Sequence, residues 1–476
     1  MNDASASSGH YRRAVDRLMG LADFERARHS PAHRTFRLDR IRALLERLGD
    51  PHLRVPTLHV TGTNGKGSTS AMLSSMLQAH GLRVGLYTSP HLLRVTERIR
   101  HGLDPIDLAT FARLVDAVWG PLQQVARDTP YGEPTTVEAL TAMALLHFRD
   151  AGVDAQVIEV GLGGELDSTN VVAPSVCAIT NISFDHVAVL GPTIESIARA
   201  KAGIIKPGVP VVLAPQMEGA LEVALGVAAR QRAPVTQVGS DVRWAVDDAA
   251  DNRQKLRVET GRARYRVDLP LDGDYQGENA AVAVAACEIF LGERLDHEAV
   301  LRGLAGVRWP GRLERMRWRG VQVIVDGAHS PYAMQRMVGA LAGRVDPART
   351  VAVVGALTGH DLMETLQPLR RLTGRAYAVR SHHPRAERPE AVARALEQEG
   401  FTVLGIDGDV AAATAAAAAG TAAGGPPHTV IATGSLSVAA EVIACVRGIE
   451  IETYPTIRGR STDPAERPAD HPHTVR

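Results

Sequence analysis

The chain has 476 residues, 45% hydrophobic and 22% charged, and its formal net charge at neutral pH is zero. That length allows two or three domains, and the composition is that of an ordinary globular protein. The charge balance supplies no global field for nucleic acid or an anionic membrane, and no apolar run reaches the ~18 residues of a membrane span. Three scattered cysteines, Cys177, Cys287 and Cys445, lack metal-ligand spacing and read as small buried hydrophobes. The first eight residues are polar and lack the apolar core of a signal peptide, so a cytoplasmic protein with neither nucleic-acid nor membrane partners is expected.

Apolar spacing at Leu38, Ile41, Leu45 and Leu48 predicts a largely helical stretch over 11–48, ending at Gly49-Asp50-Pro51. A short strand then leads through Gly62-Thr-Asn-Gly-Lys-Gly-Ser68 into a helix that starts near Ser68 and closes at Gly81. Strands follow at 82–88, 155–160, 176–181 and 209–213, and helices over 107–126, 136–150 and 194–202. This alternation predicts a mostly parallel sheet covered on both faces. Residues 235–270 alternate polar and apolar without a long helix and predict a small antiparallel patch. Helix resumes near Asn279, and 307–312 reads as a linker. A second α/β set has strands at 321–325, 351–354, 376–379 and 430–432, with an alanine-rich helix and loop over 411–425. The last ~25 residues, rich in Pro, Arg, Asp and His, are expected to be disordered.

The glycine-rich turn carries the clearest chemistry. Thr63, Asn64, Gly65, Lys66, Gly67 and Ser68 lie between a strand and a helix N-terminus, where backbone N–H groups and partial positive charge favour phosphate. Lys66 adds a point charge for the outer phosphates, although Gly67 separates it from Ser68, unlike the general phosphate-loop pattern. Only four lysines occur, Lys66, Lys201, Lys206 and Lys255, against an arginine-rich background; the last two read as surface residues. Other polar groups fall at strand ends, where open α/β sheets bind ligands: Ser89, Glu159, Asp185-His186 and Asp326. A carboxylate inside an apolar strand must be paired or metal-bound, which makes Glu159 a candidate Mg²⁺ ligand. Lys201 by spacing alone is a solvated helix residue.

The ordered motifs resemble the folylpolyglutamate synthase and dihydrofolate synthase family of the Mur ligase superfamily. They are His59 to Ser68, Ser89-Pro-His-Leu92, Val160 to Gly164, Leu166-Asp-Ser-Thr-Asn170, Asp185-His186, Lys201-Ala-Gly-Ile204, Pro310-Gly-Arg312, Asp326-Gly-Ala-His329, His383-Pro-Arg-Ala386 and Gly434-Ser435. The resemblance implies an α/β chain with an N-terminal P-loop ATPase domain over 1–309, carrying the parallel sheet and the antiparallel patch. A hinge over 310–315, a C-terminal Rossmann-like glutamate-ligase domain over 316–450 and a disordered tail over 451–476 follow.

It also implies ATP, two Mg²⁺ ions and the small-molecule substrates dihydropteroate, folates and L-glutamate, acted on by a monomer. Ser89, Glu159, His186 and a carbamylated Lys201 would hold metal; Asn279, Arg312 and Asp326 would reach the nucleotide. Thr135, Leu166, Asp167 and Ser168 would line the pteroate pocket. His329 and Ser435 would place the phosphorylated intermediate and glutamate, with Lys66, Lys201 and His329 as the catalytic groups. Ser330 and Glu165 depart from the family's common Asn and Arg and bear on substrate detail. Leu166-Asp-Ser168 favours the bifunctional synthase over a folylpolyglutamate synthase alone. A cell-wall Mur ligase with another acid substrate would need a sugar-nucleotide domain before the phosphate loop. A binding-only regulatory module would not need Lys201.

Overall fold

Apolar runs too short for buried helices pair as parallel strands. The computed structural model describes residues 2–23, 37–250, 252–359, 361–420 and 428–454 and arranges these strands in three sheets. In the first are β1 (Thr57–Thr61), β2 (Val84–Tyr87), β3 (Ile99–His101), β4 (Asp104–Pro105), β5 (Ala155–Glu159), β6 (Pro174–Ile179), β7 (Val211–Leu213) and β8 (Val235–Gln237). Their order is β4-β3-β2-β5-β1-β6-β7-β8, parallel from β2 to β8 with an antiparallel β3–β4 edge. Both β1 and β5 are buried at every residue, as central strands covered on two faces must be.

Helix Lys66–Ala79 shares one core with Asp274–Leu291 and His297–Gly306, and this core extends under the second sheet. Helices Leu38–Arg47, Leu108–Asp128 and Thr136–Asp150 share the core on the other face. The second sheet is antiparallel: β9 (Arg243–Ala250), β10 (Arg253–Glu259) and β11 (Arg264–Leu269), in the order β11-β10-β9. It is the expected patch, except that Val235–Gln237 leaves it to extend the parallel sheet as β8.

The third sheet holds β12 (Glu314–Trp318), β13 (Val321–Val325), β14 (Thr350–Val354), β15 (Arg375–Val379), β16 (Thr402–Asp407) and β17 (Thr429–Thr433). Its order is β12-β13-β17-β14-β15-β16, parallel except for β12. Sequence periodicity misses both edges: β12 starts inside the segment read as a hinge, and β16 is half-exposed and broken by Gly405.

Several other expectations change. The largely helical stretch over 11–48 is interrupted at residues 20–23. Described helices run Asn2–Met19 and Leu38–Arg47, and residues 24–36 lie outside the described residues. The alanine-rich segment forms helix Val410–Ala419, and 421–427 lie outside the described residues. Cys177 and Cys287 are buried, but Cys445 is only half-buried. Lys206 is not a plain surface residue: its Nζ donates to Asn170 Oδ1 at 2.7 Å. The tail over 455–476 lies outside the described residues, whereas 451–454 pack back on the N-terminal half. Among the described residues no helix is long and apolar enough to cross a membrane.

One buried ionic cluster sets how the C-terminal sheet sits on the rest. Asp272, fully buried just after β11, accepts from Arg315 Nε at 3.1 Å and Arg344 Nη1 at 2.6 Å. Asn252 adds a two-way clamp to the Arg315 backbone at 2.9 and 2.8 Å.

Candidate active site

The phosphate loop takes its shape from glycine. Gly65 has φ +89° and precedes the first residue of helix Lys66–Ala79, where a Cβ would collide with the Asn279 side chain. The loop is tied to the segment after β6. Thr63 N–H donates to Asn181 O at 2.8 Å, Ser183 N–H donates to Thr63 Oγ1 at 3.1 Å, and Asn64 Nδ2 donates to Ser183 Oγ at 2.9 Å. Lys66 Nζ curls back onto the Gly62 and Thr63 carbonyls, each at 3.2 Å. Asn279 thus comes against the loop from a helix more than two hundred residues further along the chain.

A single cavity of about 1180 Å³ lies at the carboxyl ends of the parallel strands, between the first and third sheets. It exceeds the ~300–1,000 Å³ of a common small-molecule pocket. Every candidate metal, nucleotide, substrate and catalytic residue named from the sequence lines it, except two. Lys201 is buried beneath the phosphate loop, its Nζ donating to Gly62 O at 2.7 Å. Ser435 is fully buried and spends its hydroxyl on capping helix Leu436–Arg447, accepting from Val438 N–H at 3.1 Å. Ser437, two residues further on, lines the cavity in its place.

Burial sets the electrostatics. Glu159 closes β5 with a carboxylate that accepts from Ser89 N–H at 3.2 Å. Desolvation pushes its pKa up to about 7 despite the nearby Lys66 charge. Desolvation also lowers Lys201 to about 7, assisted by Lys66. His186 is 42% exposed to the cleft, and desolvation by the cavity walls brings it to about 4 against the opposing pull of Asp185. Asp326 is buried and its pKa is raised by that burial, although Arg312 opposes the shift. Two backbone N–H groups, Leu313 and Ala328, hold its carboxylate at 2.8 Å each.

The two halves meet at Asp185. Its Oδ2 lies 3.7 Å from His186 Nε2 on one side and 3.6 Å from His329 Nε2 on the other. His329 Nδ1–H donates to Gly327 O at 2.9 Å, which leaves Nε2 aimed across the cleft. Burial pulls the His329 pKa down, but the Asp185 hydrogen bond and charge outweigh it and the net shift is upward.

The far wall of the cavity is built by buried relays. Asp167 accepts from Leu162 N–H and Thr169 N–H, each at 2.9 Å, and from the Thr169 hydroxyl. That leaves Thr169 Oγ1 to accept from His59 Nε2–H at 3.0 Å. Thr135 caps helix Thr136–Asp150 in a reciprocal box with Glu138, and Glu138 is held by the buried Arg40 at 2.7 Å. Ser168 Oγ bonds Thr141 Oγ1 at 2.7 Å.

Sequence reasoning named Leu166 but missed the rest of the apolar side of this wall. Phe184 and Val187 are 49% and 46% exposed, and with Leu166 at 54% they give the cavity an apolar face. The signal for Phe184 was its place beside Asp185, an aromatic residue that the alternation of the loop does not bury. Arg98, also missed as a cavity residue, donates through Nε–H at 3.0 Å to Nδ1 of His91 in the Ser89-Pro-His-Leu92 motif.

Comparison with known proteins agrees with this architecture. The Mur ligase middle domain matches residues 60–287, and the Mur ligase, glutamate ligase domain matches residues 311–436. A dihydrofolate synthase/folylpolyglutamate synthase of Bacillus subtilis is 36% identical over 354 residues, covering 73% of this chain and 82% of the relative. A probable bifunctional folylpolyglutamate synthase/dihydropteroate synthase of Haloferax volcanii is 36% identical over 445 residues; this chain spans 51% of that relative's length. The Mycobacterium tuberculosis folylpolyglutamate synthase complexed with ADP superposes with a TM-score of 0.83 at 32% identity, covering 94% of this chain and all of that one. The chain belongs to the folylpolyglutamate synthase and dihydrofolate synthase family, ATP-dependent ligases built on Mur ligase middle and C-terminal domains.

Proposed function

We propose that this chain joins L-glutamate to dihydropteroate and to the γ-glutamyl chains of folates, using ATP and releasing ADP and phosphate. The observation that carries this reading is the convergence of both halves on one cleft. The phosphate loop, Glu159 and His186 face Arg312, Asp326 and His329, and Asp185 lies within 3.7 Å of both histidines. The apolar face at Leu166, Phe184 and Val187 suits a flat aromatic acceptor.

In this mechanism a substrate carboxylate oxygen attacks the γ-phosphorus of ATP and the bond to ADP breaks. The acyl phosphate that results is attacked by the glutamate amine, an amide forms, and phosphate leaves. Such transfer needs positioning and charge neutralisation, which the loop amides, Lys66 and Arg312 supply. Closing the halves over the cleft keeps water from the acyl phosphate.

The donor set fits Mg²⁺. Among the described residues no group of three or more His, Cys, Asp or Glu side chains forms a ready cage. Ser89, Glu159 and His186 offer a hydroxyl, one carboxylate and one imidazole, leaving room for the waters and phosphate oxygens that Mg²⁺ keeps. Glu159, lifted to about 7 by burial, is a carboxylate that a dication would ionise. When bound, Mg²⁺ would neutralise the ATP phosphates. Lys201 would complete a second Mg²⁺ position as a carbamate, formed when its neutral amine adds to CO₂ and releases a proton. With its pKa near 7, about half of its amine is neutral at neutral pH, whereas an unperturbed lysine is almost wholly charged. The side chain must then turn from Gly62 O towards the cleft.

Phosphate release from ATP and Mg²⁺ with L-glutamate, measured with dihydropteroate, with tetrahydrofolate and with neither, tests the reading. Release with both acceptors is the expected result, and release with one alone assigns the narrower enzyme. Release with neither refutes it in favour of a Mur-type ligase for another acid.

A further inference from the structure

The segment after the last helix was expected to begin a disordered tail, yet it crosses back to the N-terminal half. Helix Leu436–Arg447 belongs to the C-terminal sheet layer, and the chain beyond it lines the cavity with Ile451, Glu452, Thr453 and Tyr454. Glu452 N–H donates to Leu93 O at 3.2 Å, and Val95 N–H donates to Glu452 Oε2 at 2.9 Å. Tyr11, from the first helix, donates its hydroxyl to Glu452 Oε1 at 2.6 Å.

Hydrogen-bond polarity links this segment to the cleft. Arg98 has only N–H donors, so His91 Nδ1 accepts from Arg98 Nε at 3.0 Å and the ring proton sits on Nε2. His91 Nε2–H therefore donates to Tyr454 Oη at 2.7 Å, and Tyr454 O–H donates to Glu452 Oε2 at 2.7 Å. All four members point the same way, from the Arg98 guanidinium to the Glu452 carboxylate, an arrangement in which successive bonds strengthen one another. The Tyr454 ring also stands edge-on to His91 with centroids 5.4 Å apart. The near end of the relay is in the site itself: His91 is two residues from Ser89, and the Ser89 N–H holds Glu159.

We propose that residues 448–454 form a strap that ties the C-terminal half to residues 88–98, with Glu452 and Tyr454 as positioning residues for the loop that presents Ser89 to the nucleotide phosphates. The functional half of this proposal rests on the ligase reading above. Both border the cleft, and the role assigned to them is carried by their hydrogen bonds rather than by contact with substrate. They act through His91, Arg98 and the Val95 amide.

The test uses the full chain, Tyr454→Phe, Glu452→Gln, a chain ending at Glu450 and a chain ending at Tyr454. Amide hydrogen exchange over 88–98 is read in each, independently of activity. Exchange there rises about tenfold in the first three variants and remains at the full-chain level in the chain ending at Tyr454. Unchanged exchange over 88–98, or an equal rise across the whole molecule, overturns the strap. In turnover assays the KM for MgATP rises several-fold in those three variants while the KM for glutamate holds. Equal changes in both, or none, overturn the positioning role. A full chain that releases no phosphate refutes the ligase reading, and the exchange result then decides the strap on its own.

Discussion

Replacing Asp272 with alanine would leave two guanidinium groups facing each other without their shared carboxylate. Arg315 is 3% exposed and its Nη2 lies 3.0 Å from Asp272 Oδ2, while Arg344 approaches from the other side at 2.6 Å. Each hydrogen bond to such a charged group contributes about 1.5–3 kcal/mol, and breaking a buried ion cluster by removing one partner costs about 3–5 kcal/mol. The upper part of that range is expected here, because the remaining charge on Arg315 cannot reach water. The cost falls on the seating of the C-terminal sheet, since Asp272 follows β11 while Arg315 lies in β12. Calorimetry should show the C-terminal transition lowered by about 10 °C or more. A triple change of Asp272→Leu, Arg315→Met and Arg344→Leu should recover most of the loss, because apolar groups of similar volume replace buried ion clusters at little cost. A loss under about 1 kcal/mol in Asp272→Ala, or a triple variant no better than the single, would refute the reasoning.

Other outcomes are equally specific. Lys201→Ala should lower turnover by at least about a hundredfold while the melting temperature holds within a few degrees, and unchanged turnover removes the carbamate from the mechanism. Without Mg²⁺, Glu159 makes stability fall as pH rises. The folded chain keeps a proton between pH 4.5 and about 7 that the unfolded chain has released, so the loss begins above the lower value and is complete above the higher. At 1.36 kcal/mol per pH unit the loss is about 3 kcal/mol; Glu159→Gln should abolish this slope in urea unfolding at pH 5 and 8, and equal slopes would refute the burial argument. Gly65→Ala places a side chain at φ +89° against Asn279, so ADP titration should show affinity reduced more than tenfold, and wild-type affinity would show that the loop shifts freely.

How far the sequence reaches can be judged residue by residue. The strand, glycine-rich turn and helix around Lys66 were legible because strand periodicity, positive-φ glycines and helix onset are all local signals. Helix Ile194–Ala202 matched its expected bounds for the same reason, a Thr193 cap followed by regular apolar spacing. The parallel sheet with its antiparallel patch followed from alternation of short apolar runs with helices. Edge strands β12 and β16 escaped because one-sided burial leaves a weak pattern.

Local chemistry alone determined that a phosphate loop exists and that carboxylate and imidazole groups sit at strand ends. Tertiary structure decided which of them meet. The burial that brings Lys201 to about 7, the approach of Asp185 to His329 at 3.6 Å, the Asp272 cluster and the return of Tyr454 to His91 all join residues far apart in the chain. Desolvation and hydrogen-bond partnership are properties of the packed interior, and a one-dimensional pattern carries residue type and spacing but not the neighbours that packing selects.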